Sequence, residues 1–349
     1  MSREILDERS REVLFAVVQS YINNPEPVGS RFVTKRYPLG VSPATIRNIM
    51  ADLEELGFLS QPHTSAGRIP TDKGYRFFVE SILKAERADI HSGVPGEFML
   101  QFTRKLERIK NDLNAMFSEV TETLSLMSHY VGVVIPPKPE QVTFKRIDLL
   151  KYKGNSVVAV LLTDEGVVKN RIVIVDTQLS QDDLNRISDY LNAEFSGCIL
   201  DDIRSMLVRR IKREKAMWDT LVSRAIQICE QALSFAGDDI FVSGLYDVMD
   251  LPDFSDISKI KQLSRAIKDK HMILTLLDGF SGEDGVHVLI GDENPIEGLR
   301  KLSIVTAPYK EGVRHMGVIA LIGPTRMDYS KAIFMVNTVA QCVSRAFES

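Results

Sequence analysis

The most informative stretch of the chain is GVSPATIRNIMADLEELG, residues 40–57. It predicts one compact helix, because the Ser42 hydroxyl can cap the N-terminus, Pro43 suits the first helical position and Gly57 can end the helix. Apolar residues recur on one face at helical spacing, at Ile46, Ile49, Met50, Leu53 and Leu56. The opposite face near the N-terminus carries small and polar side chains, those of Ala44, Thr45, Arg47 and Asn48.

The polar face of this helix has the chemistry that reads base edges in double-stranded DNA. A recognition helix puts its N-terminal residues into the major groove, while its apolar face holds it on the rest of the domain. Arginine pairs with guanine, asparagine pairs with adenine, and threonine or alanine contacts the methyl group of thymine. An ordinary amphipathic surface helix would show the same pattern, so the neighbouring sequence has to separate the two interpretations.

The sequence before the stretch predicts a helix-turn-helix. Asp7 can cap a first amphipathic helix, which the Asn- and Pro-rich residues 23–27 then stop. A short helix over residues 31–37 follows and turns through residues 38–40 into the stretch. Two helices joined by a tight glycine turn are typical of a helix-turn-helix.

The sequence after the stretch predicts a wing and a last helix. Residues 58–61 and 68–70 resemble two short strands, joined by a small polar loop. Thr71 or Asp72 can cap the helix that follows. A wing lies along the DNA backbone or reaches a minor groove, so His63, Thr64, Ser65 and Arg68 are candidates for phosphate or sugar contacts. A solvated loop residue without a partner remains an equal alternative for His63.

Positive charge is concentrated in this part of the chain. Residues 28–76 contain seven basic and four acidic residues, although the formal net charge of the whole chain is −4. The local excess favours one phosphate-binding face over a protein that coats nucleic acid with its whole surface. The candidate DNA-binding residues are therefore Ser42, Ala44, Thr45, Arg47, Asn48, Arg31, His63, Thr64, Ser65 and Arg68.

Length and composition exclude several classes of protein. A chain of 349 residues with 44% hydrophobic and 26% charged residues is expected to form two or three globular domains. It has no long apolar run and no signal-peptide core at its start, so a cytoplasmic protein without membrane contact is expected. Cys198, Cys229 and Cys342 are scattered, so we expect neither a disulfide framework nor a metal site.

Several long motifs carry a resemblance to a known family. They are PVGSR at residues 27–31, VSPATIRNIMADLE at 41–54, HTSAGRIPTDKGYR at 63–76, GDENP at 291–295 and GVIALIGPTRMDY at 317–329. In these motifs the chain resembles the HrcA family of bacterial heat-inducible transcription repressors. The resemblance implies a homodimer that binds an inverted-repeat operator upstream of chaperone genes, is released on heat stress, and has a chaperonin as modulator of its activity. It also implies a GAF-like central domain with an inserted dimerisation segment.

The chain beyond the wing predicts a long helix and then strands. Residues 88–97 lack an apolar period and are interpreted as a linker. The apolar stripe from Met99 to Met127, with a polar break at residues 121–123, predicts one long helix. Its seam could lie between two chains or within one. The strand signals between residues 130 and 176 predict an antiparallel meander, and a helix follows at residues 180–195.

The second half of the chain predicts one α+β domain with an interruption. Strand signals resume near residue 285, and a helix from Asp328 closes the chain. The fold class is therefore α+β, with a winged-helix domain at residues 1–87 and a linker at 88–97. The resemblance implies that residues 98–196 and 281–349 form the GAF-like domain, and that the mostly helical residues 197–280 are the dimerisation segment inserted in it. The basic run at 209–215 is either a second DNA contact or, more commonly, a solvated face.

Two other functions remain open from the residues alone. Sensing of a small molecule by the GAF-like domain is the closer alternative, and a ligand that shifts thermal stability would favour it. Catalysis is the more distant one. Asp292, Glu293, His287 and His315 are chemically suitable, but no catalytic or phosphate-loop motif is present, so we expect no enzyme activity and no cofactor. We interpret Asp292 and Glu293 as a turn, and Arg326 as a structural ion-pair partner.

Overall fold

The computed structural model describes residues 6–63, 66–86, 96–109, 112–137, 142–164, 166, 168–175, 178–200, 202–203, 206, 228, 240–249, 251–254, 263–265, 267, 269–280 and 282–348. The winged helix at the N-terminus has the predicted order of elements. These are α1 (Glu8–Asn23), α2 (Ser30–Arg36), α3 (Pro43–Glu55), β1 (Leu59–Ser60), β2 (Ile69–Pro70) and α4 (Asp72–Glu86).

Local hydrogen bonds fix both ends of α3. The Ser42 hydroxyl accepts the N–H of Thr45 at 3.1 Å, and Pro43 is the first helical residue. At the other end, Gly57 has a φ of +76°, and the N–H groups of Gly57 and Phe58 donate to the carbonyls of Glu54 and Leu53. This pairing is a Schellman motif, which satisfies carbonyls that the helix itself leaves open. The helix therefore begins and ends where the sequence predicts.

The wing is held against the start of α2 by backbone pairing. Val28 and Arg68 exchange two backbone hydrogen bonds of 2.9 Å, so Val28 extends the β1–β2 pair by one bridge. A Cβ atom on Gly67 would lie 2.4 Å from the carbonyl of Val28. Only glycine permits this close approach of two backbones.

A five-stranded antiparallel sheet forms the centre of the second part. Its order is β7 (Phe241–Ser243), β3 (Val131–Ile135), β10 (Arg314–Pro324), β9 (Leu302–Glu311) and β8 (His287–Ile290). The helices α5 (Gly96–Ile109), α6 (Leu113–Ser128) and α10 (Tyr329–Glu348) share one apolar cluster with one face of this sheet and with the winged helix. The other face packs on an apolar cluster that includes α8 (Leu245–Met249) and α9 (Lys270–Asp278). We call this assembly the sheet domain.

A second sheet is separate and has its own core. It is the antiparallel meander β4 (Phe144–Lys151), β5 (Ser156–Thr163) and β6 (Val168–Ile174), and α7 (Gln181–Phe195) covers one of its faces. Leu200, Ile203 and Ile228 belong to the same apolar cluster. We call these strands and helix, together with the residues of that cluster, the three-stranded unit.

The prediction of one long helix from Met99 to Met127 was wrong. α5 ends at Ile109 and α6 begins at Leu113, because Asp112 caps α6 by accepting the N–H of Ala115 at 3.1 Å. No break occurs at residues 121–123, since the Thr121 hydroxyl donates to the carbonyl of Phe117 within the helix. The apolar stripe of both helices is buried inside the chain, so the seam is intramolecular. Of the predicted linker, only residues 96–97 are described, and both are helical.

The predicted meander is correct for β4 to β6 and wrong for β3. β3 pairs instead with β10 and β7, and all five of its residues are buried, as suits a central strand. The sheets therefore do not follow the predicted boundary at residues 196 and 197. β7 lies within the range 197–280 but completes the five-stranded sheet, whereas Leu200 packs on the three-stranded unit.

Candidate nucleic-acid interface

The N-terminal half of α3 presents a polar face above a buried apolar face. Ala44, Thr45, Arg47 and Asn48 are exposed. On the other side of the helix, Ile46, Met50 and Leu53 are 0, 3 and 0% exposed. The helix has the amphipathic division that a recognition helix needs, because packing uses one side and leaves the other free for a groove.

Some polar side chains on this face already make hydrogen bonds within the chain, and others do not. The Ser42 and Thr45 hydroxyls lie 2.9 Å apart, and Ser42 also accepts the N–H of Thr45, so both take part in capping α3. The side chains of Arg47 and Asn48 make no hydrogen bond or ion pair with any described residue. Arg47 and Asn48 therefore retain their full capacity for bidentate contacts with bases.

The preceding helix α2 adds a basic surface, of which only Arg31 is among the candidate residues named from the sequence. Arg31 is exposed, as a DNA contact requires, but so are Lys35 and Arg36 in the last turn. Phe32 is 54% exposed, which is unusual for a large aromatic side chain. The cluster of basic residues between 28 and 76 already contained the signal for Lys35 and Arg36. The sequence around Phe32 does not predict that its side chain is exposed.

The wing contributes one exposed candidate and one that is engaged elsewhere. His63 is exposed, whereas Thr64 and Ser65 lie outside the described residues. The Arg68 side chain is only 19% exposed, and its Nη2 lies 2.7 Å from Oε2 of Glu54 on α3. Its Nε is buried without a hydrogen-bond partner among the described residues. Arg68 thus ties the wing to α3, and a phosphate would have to compete with Glu54 for it.

The residues considered for catalysis have separate partners. Glu293 pairs with Arg76, and Asp292 lies in a short turn, Gly291–Glu293, as predicted. His287 lies 3.3 Å from Glu283, and His315 lies 2.7 Å from Asp284. The hydrogen bond from Lys310, and to a smaller extent that from His315, lowers the pKa of Asp284 below its ordinary value. The described residues contain no group of three or more potential metal ligands.

Two side-chain contacts fix the end of the C-terminal motif. Arg326 forms an ion pair with Asp253 at 2.7 Å, so the prediction of a structural partner is confirmed. Asp328 caps α10, because its carboxylate accepts the N–H of Lys331 at 3.1 Å.

Across the described part of the chain, no helix combines the length and the apolar character needed to cross a membrane.

Comparison with known proteins gives a consistent result. A family model described as the HrcA protein C terminal domain matches residues 114–333. The heat-inducible transcription repressor HrcA of Thermodesulfovibrio yellowstonii is 46% identical over 345 residues, which are 99% of each chain. The repressor of the same name from Geobacter sulfurreducens is 39% identical over 343 residues, 98% of each chain. A crystal structure of a protein described as hypothetical has a TM-score of 0.70 at 24% identity and covers 99% of both chains, which supports the fold alone.

The exposed pair on α3 leads to a first prediction. Arg47→Ala or Asn48→Ala should each cost about 1 to 3 kcal/mol at defined base pairs, because each change removes one bidentate contact. Fluorescence anisotropy with the preferred duplex and its single-base variants, at one salt concentration, measures this. Arg186→Ala, which removes an exposed arginine from α7, is the matched control and should change nothing. Equal losses on preferred and random DNA would contradict base reading by Arg47.

The ion pair between Arg68 and Glu54 leads to a second prediction. Glu54→Gln should release the Arg68 guanidinium to phosphate and steepen the slope of log affinity against log salt by about 1. Adding Arg68→Ala to Glu54→Gln should return the slope to that of the wild-type protein, without changing the base preference. Salt titrations of both variants on preferred and random duplexes test this. If Glu54→Gln leaves the slope unchanged, Arg68 has only a structural role in the wing.

Proposed function

The chain belongs to the HrcA family, and from that premise we propose that it represses transcription of heat-shock genes as a homodimer bound to an inverted-repeat DNA operator. The observation that carries the DNA-binding part is the free polar face of α3, with Arg47 and Asn48 exposed above a buried apolar face. Both relatives reported above are named heat-inducible transcription repressors, which supports repression and a response to heat. We propose that the protein acts in the cytoplasm of a bacterial cell, where the chromosome lies.

A dimer is part of the proposal because one winged helix contacts too few base pairs. A single module reads only a short half-site, and specific binding at physiological salt commonly uses two half-sites related by the symmetry of a dimer. When two weak half-site contacts are linked, the second binding event becomes intramolecular and total affinity rises steeply. Loss of the dimer on heating would therefore release the operator.

The outer face of the three-stranded unit supports a specific dimer surface. The inner face of β5 packs on α7, and its outer residues alternate with the buried ones. In the register of the sheet, Leu150, Val158 and Ile172 lie side by side on the outer face, and Leu162 lies beside Val168. Leu150, Ile172 and Ile174 are 50, 57 and 69% exposed. An antiparallel sheet with one packed face normally has polar residues on the other.

We propose that a second copy of the chain covers the part of this outer face around Leu150, Ile172 and Ile174, because exposed apolar residues that lie side by side mark association sites. The exposed Arg146–Asp148 ion pair and Asn170 lie on the same face and would form the polar rim of this contact. This places dimerisation on strands before residue 196, and not only in the range 197–280, much of which lies outside the described residues. In chain order, the three-stranded unit lies between β3 and β7, which are neighbours in the five-stranded sheet. The basic run at 209–215 also lies outside the described residues and carries no part of the proposal.

A chaperonin as modulator of activity rests on the family resemblance alone. Ligand sensing has one observation in its favour, a cavity of about 410 Å³ that is lined by apolar Phe254, Leu263 and Leu302 and by charged Asp72, Arg300 and Lys301. This volume lies within the range of small-molecule sites in proteins. We retain ligand sensing as a second, additional role.

Selection of binding sites from random DNA tests the proposed function directly. The purified full-length chain should enrich one sequence with twofold symmetry, because two identical recognition helices are related by the axis of the dimer. Competition against random duplex at moderate ionic strength then gives the specificity ratio. Absence of any preference, with or without a chaperonin present, would contradict the proposal.

The dimer surface has its own test. Ile172→Asp should convert the dimer to a monomer, because a charge would be buried beside Val158 and Ile174 in the proposed contact. Light scattering after size-exclusion chromatography measures the mass, and binding to a full and a half operator measures the effect on DNA. Val313→Asp is the matched control, since Val313 is 97% exposed in the hairpin between β9 and β10. A dimer that persists in Ile172→Asp would exclude this face.

A further inference from the structure

The winged helix is docked on the sheet domain through α4. Tyr75 of α4 is 3% exposed, and its ring centroid lies 5.8 Å from that of Tyr329 on α10. Phe78 and Val79 on the same helix belong to the cluster that includes Ile290 of β8. Apolar burial stabilises this junction but is not directional, so it does not by itself fix the angle between the two parts.

Directional contacts surround the apolar junction, and the first centre is Arg76. Its Nε donates to Oε1 of Glu293 at 2.7 Å, and its Nη2 pairs with the other carboxylate oxygen of Glu293. The same Nη2 donates to the carbonyl of Val288 at 2.6 Å. Glu293 is itself held, because it accepts the N–H of Ile290 at 2.8 Å. A planar guanidinium that binds a fixed carboxylate through two bonds allows little rotation.

Asp72 lies one helical turn before Arg76 and binds the same loop. Its Oδ2 accepts the backbone N–H of Asp292 at 2.9 Å. Gly291 has a φ of +51°, and a Cβ atom there would lie 2.0 Å from that oxygen, so the approach requires glycine. Burial is the main reason that the pKa of Asp72 is raised above its ordinary value, and the hydrogen bond from Asp292 opposes that shift. Together, Asp72 and Arg76 fix the N-terminal half of α4 on the turn Gly291–Glu293.

Arg326 makes a second attachment to a different helix. It donates to the carbonyl of Ile22 in the last turn of α1, and it binds both carboxylate oxygens of Asp253 at 2.7 and 3.2 Å. Its side chain is only 10% exposed. A cation at a helix C-terminus is also favoured by the helix dipole. The winged helix is thus attached at two points, through α1 and through α4, to separate segments of the sheet domain.

We infer that Asp72, Arg76 and Arg326 are positioning residues that hold the winged helix at one angle on the sheet domain and thereby set the half-site spacing that the dimer accepts. α3 packs directly on α1, so the orientation of α1 is passed to the recognition helix. In a symmetric dimer the distance between the two recognition helices follows from this angle, and half-site spacing is a geometric consequence of it. The inference rests on the proposed dimeric repressor. It adds a structural reason why the dimer accepts one distance between the two half-sites.

The test uses a series of operators whose spacer changes in steps of one base pair. The wild-type full-length protein should lose affinity about tenfold or more when the spacer changes by one or two base pairs. Arg76→Ala and the milder Glu293→Gln should tolerate the same changes with losses of about threefold or less, because the angle is no longer fixed. Their affinity for a single half-site and its single-base variants should remain that of wild type.

Matched variants and a second readout separate positioning from general damage. Lys84→Ala removes an exposed cation from the same helix, where its neighbour is Glu80, and should keep the wild-type spacing preference. Arg76→Lys should behave like Arg76→Ala, since an ammonium group cannot reproduce the bidentate contact. Hydrogen exchange should show faster exchange at residues 290–293 in Arg76→Ala, with α3 unchanged.

Two results would overturn the inference. One is a wild-type spacing preference in both Arg76→Ala and Glu293→Gln. The other is a loss of half-site base preference in both variants, which would indicate a damaged winged helix and not a freed one. Failure of the proposed function looks different, because the wild-type chain itself would then select no operator with twofold symmetry.

Discussion

The structure depends on one apolar core that continues from the winged helix into the sheet domain. α4 contributes to both sides of it: the ring of Phe78 lies 5.2 Å from that of Phe15 on α1, and Tyr75 meets Tyr329 on α10. Burial of apolar surface is the main favourable contribution to folding, but it has no preferred direction. The polar rim of Asp72, Arg76 and Arg326 supplies the direction. Stability and orientation at this junction therefore have different physical sources.

The candidate DNA-binding face shows a division between structural and free polar groups. Ser42 and Thr45 are used in part by the N-cap of α3, and Arg68 is held by Glu54. Arg47 and Asn48 have no such partner among the described residues and remain available to bases. A sequence pattern lists all of these as polar residues of one site, whereas hydrogen bonds within the chain determine which of them a ligand can still recruit.

The two sheets differ in what covers them. Both faces of the five-stranded sheet are buried within the chain. The three-stranded unit has one face on α7 and an outer face with Leu150, Ile172 and Ile174 exposed. Apolar side chains that stay exposed to solvent do not stabilise a monomer, because they bury no surface. In the proposed dimer, a second copy of the chain would cover these residues and link the two winged helices.

Local sequence was sufficient for the winged helix, the caps of α1 and α3, the hairpins of β4 to β6 and the closing helix. Each of these depends on residues within a few positions of one another, as with Ser42 and Thr45 or the Schellman pairing at Gly57. Tertiary structure alone decided that β3 pairs with β10 and β7, that Arg68 binds Glu54, and that Arg76 binds Glu293. The two members of each of these pairs are distant in sequence. They meet only when the chain folds, so no local sequence pattern predicts the pairing.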